Sequence, residues 1–126
     1  MVGKVLYTTL PIFMCMKISK EDLLRINHGF GGNLRSDSSL DFAIQMQDNP
    51  KLGEYKKLAY LWRAILVDHP FSDGNKRTAV YLAHAFADMN KNRADRDTLV
   101  DAAISIAKNN IIDIRNIEWR LKNAIR

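Results

Sequence analysis

Hydrophobic residues along the chain recur mostly at the spacing of an α-helix, and short polar or glycine-containing segments separate the runs. Ser19 with Asp22 forms a capping pattern that predicts the start of a first helix, and the glycines of the GFGG segment end it. Ser38 with Asp41 repeats this pattern ahead of a second helix, which the Asn-Pro dipeptide at 49–50 ends. The first part of the chain therefore predicts two amphipathic helices.

Two later segments, residues 55–67 and 79–89, are apolar almost all the way round, which is typical of helices surrounded by other helices. Residues 99–107 and 114–124 carry apolar positions at helical spacing and predict two more helices. No segment shows sustained alternation with a period of two. We therefore expect an all-α bundle of about six helices, in which a short N-terminal strand or a flap hairpin is the most extended structure.

Composition and cysteine content bound the class of protein. The 126 residues are 47% hydrophobic and 26% charged, which is typical of one globular domain, expected over residues 16–126. Residues 1–15 are expected to form an N-terminal extension of uncertain order. Its apolar stretch is too short to span a bilayer and has no small-residue cleavage site, and Cys15 is the single cysteine. A cytoplasmic protein without membrane contact is the simplest prediction.

The net charge of +5 is compatible with nucleic acid, an acidic protein partner, or a solvated basic surface. Lysines and arginines are scattered along the chain, with neither a dense basic block nor interleaved aromatic residues. We therefore expect no direct binding of nucleic acid. A basic helical RNA-binding toxin is a competing hypothesis, and it predicts steep salt dependence of association.

The segment HPFSDGNKRT, residues 69–78, joins the two strongly apolar segments and carries most of the candidate chemistry. Pro70 disfavours helical geometry at His69, and Gly74 allows a positive φ before the next helix begins. Phe71, between polar neighbours, is expected to anchor the loop in the core. The backbone N–H groups of residues 74–77 then lie at a helix N-terminus, where such groups attract anions.

The side chains of this loop suit phosphate chemistry. His69 can accept a proton near neutral pH, and Asp73 can hold a hard cation. Asn75 can donate a hydrogen bond, whereas Lys76 and Arg77 can neutralise phosphate. The alternative is an ordinary helix connection with a glycine turn and solvated charges.

The segment HPFSDGNKRT resembles the signature of the Fic/Doc family. That pattern is histidine, any residue, phenylalanine, any residue, an acidic residue, glycine, asparagine, glycine or lysine, and arginine, and every fixed position is filled. The segments GFGG and LRSDSSLDFA and the helix at 55–67 look like the death-on-curing, Doc-like branch. The resemblance implies the compact helical Fic/Doc fold.

The resemblance also implies transfer from ATP to a hydroxyl of a protein substrate, with Mg²⁺ as the metal. His69 matches the general base, and Asp73 matches the residue that holds Mg²⁺. The positions that match the family's phosphate-binding residues are Gly74, Asn75, Lys76 and Arg77. The resemblance places the last two among the catalytic residues as well, and it places the turn at 48–53 where a flap aligns the target segment.

Two departures bear on the type of transfer. Family members that attach AMP usually have glycine at the position of Lys76 and a second arginine at the position of Val80. The Lys-Arg pair without that arginine is similar to Doc toxins, which pass the γ-phosphate of ATP to the translation machinery. We therefore expect phosphorylation. AMPylation is one alternative, and a non-catalytic nucleotide-binding or toxin–antitoxin regulatory module is another.

Inhibition of the activity is expected to come from a second protein. The chain lacks the family's inhibitory motif, in which Ser or Thr is followed four residues later by Glu and then Gly or Asn, so a separate antitoxin-like protein is expected. His84 is interpreted as a packed core residue outside the site. Arg35 is expected to pair with Asp37 at the surface, and Trp62 and Trp119 are both expected in the core.

Overall fold

The structure is a computed structural model that describes residues 16–126. Within these residues the chain forms six α-helices, and it forms no strand beyond isolated bridges. The helices are α1 (Lys20–Gly29), α2 (Ser38–Met46), α3 (Glu54–Asp68), α4 (Asn75–Met89), α5 (Arg96–Asn109) and α6 (Ile114–Ala124). The all-α prediction is confirmed. The expected N-terminal extension at 1–15, with its strand and Cys15, lies outside the described residues.

The helix starts follow the capping patterns with one difference. Ser19 caps α1, because its Oγ accepts a hydrogen bond from the backbone N–H of Asp22 at 3.1 Å. Helix α2 begins at Ser38, so its N-cap is Asp37 rather than Ser38. The Asp37 carboxylate makes no capping bond and instead lies 3.0 Å from the Lys20 ammonium. The second start is therefore one residue away from the prediction.

Helix α3 is at the centre of the bundle and contacts α2, α4, α5 and α6. Trp62 on α3 is fully buried, as predicted, and its Nε1–H donates to the carbonyl oxygen of Ala79 on α4 at 2.8 Å. This bond joins the two helices that flank the loop at 69–74. The loop is therefore held from both sides by the core.

The prediction for Trp119 is wrong, because its side chain is 64% exposed. Helix α6 buries Ile117, Leu121 and Ala124, which share one face at helical spacing. Trp119 is two positions from Ile117, on roughly the opposite side of the helix.

Among residues 16–126, no helix is long and apolar enough to cross a membrane.

Candidate functional site

Two residues with left-handed backbone conformation bracket the loop between α3 and α4. His69 follows the last residue of α3 with φ 48° and ψ 61°, and Gly74 precedes α4 with φ 74°. The positive φ at Gly74 was predicted, whereas Pro70 predicted only that His69 leaves helical geometry and not that it becomes left-handed. Positive φ is uncommon for a residue with a side chain, and such residues cluster at functional sites.

The side chain of Asn75 closes the loop on itself. Its Oδ1 accepts from the backbone N–H of Phe71 at 3.2 Å, and its Nδ2 donates to the Phe71 carbonyl at 3.0 Å. The Phe71 side chain is buried in the core, as predicted. Because both polar groups of the Asn75 amide bond within the loop, this side chain shapes the loop.

The first turn of α4 offers backbone donors. The first backbone bond of this turn runs from Thr78 N–H to the Gly74 carbonyl at 2.9 Å. The N–H groups of Asn75, Lys76 and Arg77 have no acceptor within the part of the chain that the structure describes. Such groups, at the positive end of a helix dipole, suit a phosphate.

The carboxylate of Asp73 is exposed beside these donors. Its Oδ1 accepts from the N–H of Gly74 at 2.7 Å and lies 3.8 Å from the Arg77 guanidinium. Its Oδ2 has no partner among the described residues. Over the same residues, no group of three or more His, Cys, Asp or Glu could hold a metal. One exposed carboxylate still fits Mg²⁺, which commonly takes one protein ligand together with waters and substrate phosphates.

Asn27, which the sequence analysis did not single out, holds the loop from beneath. It is fully buried at the end of α1, and its Nδ2 donates to the Asp73 carbonyl at 2.8 Å and to Thr78 Oγ1 at 3.2 Å. Gly32 packs against the same atoms, and a Cβ there would overlap the Asp73 carbonyl and Asn27 Oδ1. The sequence signal was a polar residue four positions after Leu23, on the buried face of α1.

Residues 33–36 run antiparallel to residues 70–72 beside the loop. The backbone N–H of Arg35 donates to the Pro70 carbonyl at 2.7 Å, and that of Ser72 donates to the Asn33 carbonyl at 2.8 Å.

The prediction that the turn at 48–53 is the flap beside the site is wrong, because this turn precedes α3 whereas His69 follows it. A helix of 15 residues is about 22 Å long, so the turn lies at the end of α3 remote from His69.

Arg35 belongs to this neighbourhood rather than to an ion pair with Asp37. Its guanidinium donates to the carbonyl oxygen of His69 at 3.2 Å. Asp37 pairs with Lys20 instead, and the Lys20 ammonium lowers the pKa of the Asp37 carboxyl below its usual value. The predicted pairing of Arg35 with Asp37 is therefore wrong.

A cavity of about 550 Å³ lies beside the first turns of α4, between α4 and α5. Its polar lining residues are Lys76, Arg77, Tyr81, His84 and Arg96, and the rest of its wall is apolar. The placement of His84 corrects its interpretation as a core residue only. The half-buried His84 ring lines the cavity, and its Nε2 is buried with no hydrogen-bond partner in residues 16–126.

The structure thus divides the predicted site residues into two adjoining groups. Lys76 and Arg77 line the cavity, whereas His69 and Asp73 lie on the loop outside its wall. Gly74 and Asn75 shape the loop between them. A ligand that contacts all of these residues would reach from the cavity over the first turn of α4 to the loop.

The sequence model of the Fic/DOC family matches residues 17–87, more than half of the 126 residues. The chain therefore belongs to the Fic/DOC family. The match includes the glycine turn after α1, the loop and most of α4. Members of this family are generally ATP-dependent transferases that modify proteins. Neither the curated proteins nor the solved structures contain a match to the chain.

Proposed function

We propose that the chain is a Doc-like transferase that moves the γ-phosphoryl group of ATP to a hydroxyl side chain of a protein, with a component of the translation machinery as the target. One observation carries the proposal. The loop at 69–74 presents an imidazole and a carboxylate next to unpaired N–H groups at the start of α4, and Lys76 and Arg77 extend this array into the cavity.

Phosphate binding would use the main chain and two cations. The N–H groups of residues 75–77 can donate to phosphate oxygens, while Lys76 and Arg77 neutralise negative charge. The rest of the nucleotide would extend into the cavity, where apolar walls such as Val100 suit the base and ribose. Asp73, through its unpaired Oδ2, would hold the Mg²⁺, which supplies further charge neutralisation when bound.

The transfer step needs one proton acceptor. The target's hydroxyl oxygen attacks the γ-phosphorus, the bond to the β–γ bridging oxygen breaks, and ADP leaves with the electron pair. His69 takes the hydroxyl proton in this step, a role that contributes about 10² to 10⁴ in rate for a well-placed general base. Positioning of the phosphates by the helix N-terminus supplies most of the remaining acceleration.

The type of transfer rests on Val80. Val80 lines the cavity one turn after Lys76, where family members that attach AMP usually carry their second arginine. An aliphatic side chain at this position cannot clamp a phosphate, which supports phosphorylation over AMPylation. AMPylation is the alternative to be tested.

The protein substrate would align along residues 33–36. These residues pair with the loop on one side through Arg35 and Asn33. An extended target segment added to the other side could form main-chain hydrogen bonds in the manner of an added strand. This arrangement would bring a hydroxyl of the target next to His69, whose carbonyl Arg35 already contacts.

An inhibitory partner is the last part of the proposal. The three glutamates of the chain are Glu21, Glu54 and Glu118, and none is followed by Gly or Asn. Glu54 pairs with Lys57 on its own helix, and Glu118 pairs with Lys122. Restraint would therefore come from a separate antitoxin-like protein. A purified complex that keeps the full transfer activity of the free chain would contradict this part.

Labelled ATP separates the candidate functions. The chain is incubated with a cell extract and ATP labelled at either the γ- or the α-phosphate, and protein-bound label is measured. Retention of the γ-label alone is the expected result. Retention of the α-label would establish AMPylation instead, and binding of ATP with neither label retained would establish a non-catalytic nucleotide-binding module.

A further inference from the structure

Arg96 lies in the first turn of α5 and lines the cavity together with Lys76 and Arg77 of α4. Its guanidinium forms no ion pair or cation–π contact within residues 16–126, although Asp95 and Asp97 are its chain neighbours. The Asp95 carboxylate instead accepts from the N–H of Thr98 at 3.3 Å. A cation in the first turn of a helix interacts unfavourably with the helix dipole, so Arg96 does not stabilise α5 through that dipole.

The charges around the cavity are all of one sign. Its lining, as far as the described chain shows, contains Lys76, Arg77 and Arg96 and no carboxylate. Arg77 is partly neutralised, because it lies 3.8 Å from Asp73 and its guanidinium carbon is 5.8 Å from the centre of the Phe30 ring. Among the described residues, Lys76 and Arg96 have no such partner. A cleft lined by like charges concentrates ligands of the opposite charge.

His84 adds a half-buried ring to the wall of the same cavity from α4. Its Nε2 is itself buried and has no hydrogen-bond partner in residues 16–126, so only the rest of the ring can meet a ligand there. The three cations and the His84 ring therefore share one cavity, and no carboxylate of the described residues lines it.

We infer that Arg96 is a phosphate-binding residue of the nucleotide site, supplied by α5 across the cavity from α4. Arg96 would bind a different phosphate of the nucleotide from the one that the N–H groups at the start of α4 bind. The inference rests on the proposed function, because it takes the ligand to be a nucleoside triphosphate. In this arrangement a polyphosphate would meet a cation from α5 where Val80 offers none from α4.

The consequence is selectivity for polyphosphate over monophosphate. Replacing Arg96 with alanine removes a charge-assisted contact, which lowers the affinity for ATP and for inorganic tripolyphosphate about tenfold or more. The affinity for AMP, which carries fewer phosphates, falls much less. In the transfer reaction, Arg96→Ala raises the KM for ATP more than it lowers kcat.

Calorimetric titration with ATP, AMP and inorganic tripolyphosphate tests the inference. The matched control is Arg115→Ala, because Arg115 is also an exposed arginine in the first turn of a helix and lies outside the cavity. Arg96→Ala is expected to lose tripolyphosphate affinity, whereas Arg115→Ala keeps it. In the Arg96→Ala background, Val80→Arg is expected to restore the affinity from the α4 side of the cavity.

The outcomes keep the two proposals apart. Equal tripolyphosphate affinity in the wild type and folded Arg96→Ala overturns the role of Arg96 and leaves the transfer proposal standing. Loss of affinity in Arg96→Ala, with no label transferred by the wild type, supports the role of Arg96 and overturns the transfer proposal. A wild type that binds neither ATP nor tripolyphosphate overturns both.

Discussion

Residue 32 has to be a glycine because the turn after α1 and the loop at 69–74 approach each other too closely for a side chain. A Cβ on Gly32 would overlap the Asp73 carbonyl and Asn27 Oδ1, whereas a Cβ on Gly29 would meet no atom within 4 Å. The Asp73 carbonyl is also the acceptor of the Asn27 side chain. The position of the Asp73–Gly74 peptide, and with it the direction of the phosphate-binding N–H groups, depends on this contact.

Gly32→Ala is therefore expected to shift the loop. We predict that it lowers ATP affinity and costs about 1–3 kcal/mol of stability, the usual cost of overpacking. Gly29→Ala is the matched control and should change stability by less than about 0.5 kcal/mol. Calorimetry and denaturant unfolding measure both effects. Equal ATP affinity in the two variants would show that the contact does not position the loop.

His69 is the proposed general base of the transfer. His69→Ala should lower phosphoryl transfer by about 10² to 10⁴ and leave ATP affinity nearly unchanged, because the imidazole acts on the target hydroxyl and not on the phosphates. His28→Ala removes an exposed imidazole at the end of α1 and is the control. Transfer rates under single-turnover conditions measure the effect. Wild-type rates in His69→Ala would exclude this histidine as the general base.

At the scale of helices, α3 and α4 form the support of the loop, and Trp62 joins them. Its indole N–H donates to the Ala79 carbonyl, three residues after Lys76, within a core that includes Ile65, Leu66 and Leu82. A loop carried by two buried, mutually bonded helices has little freedom to change its geometry. Preorganised phosphate contacts require this rigidity.

Trp62→Phe should destabilise the chain by about 1–3 kcal/mol, because it removes a buried hydrogen bond and leaves space in the core. Trp119→Phe should change stability by less than about 0.5 kcal/mol, since that indole is exposed. Thermal and denaturant unfolding of the two variants provide the comparison. A similar loss in both would contradict the different burial of the two tryptophans.

The contact between α1 and α2 has a pH-dependent component. Lys20 lies 3.0 Å from both Asp37 and Asp41, and it lowers the pKa of Asp37 below the ordinary value of 3.8. A carboxyl whose pKa is lowered on folding adds stability above that ordinary value and loses it as the pH falls through the lowered one. The bridge therefore contributes at neutral pH and is lost in acid.

Asp37→Asn should accordingly reduce stability slightly at neutral pH, and the difference from the wild type should shrink as the pH falls through the lowered pKa of Asp37. It should also shrink at high salt, because the pair is exposed to solvent. Asp97→Asn, at an exposed carboxylate without an ion pair among the described residues, is the control. Denaturant midpoints across the acid range provide the measurement. A difference that grows on acidification would contradict the assigned pairing.

Over the whole molecule, the sequence predicted what depends on local pattern. Helical periodicity, the Ser19 cap and Gly74 act through nearby residues, so the six helices and the positive φ before α4 followed from them. The contact of residues 33–36 with residues 70–72 beside His69 is tertiary, so local pattern did not show it. Trp119 was misassigned because it was judged by its aliphatic neighbours alone, although the helical spacing of Ile117, Leu121 and Ala124 already places it on another face of α6.

The parts of the candidate site that the sequence did not predict come from elements distant in the chain. Asn27 from α1, Arg35 from the following segment and Arg96 from α5 reach the loop or the cavity only after the bundle forms. Their residue types carry no signal of their own, because buried asparagines and exposed arginines have many structural roles. His84 shares a helix face with Arg77, but its position at the wall of a cavity depends on how α5 packs against α4.

The most direct measurement of the central claim is an amide ¹H–¹⁵N spectrum of the chain during titration with ATP and Mg²⁺. We predict saturable shifts at Gly74, Asn75, Lys76 and Arg77, with the His84 ring signals shifting in parallel, and loss of these shifts in Gly32→Ala. A second cavity of about 440 Å³, lined by Arg93, Thr98 and Arg126, provides an internal comparison. Shifts confined to Arg93, Thr98 and Arg126, or no shifts at residues 74–77, would contradict the account.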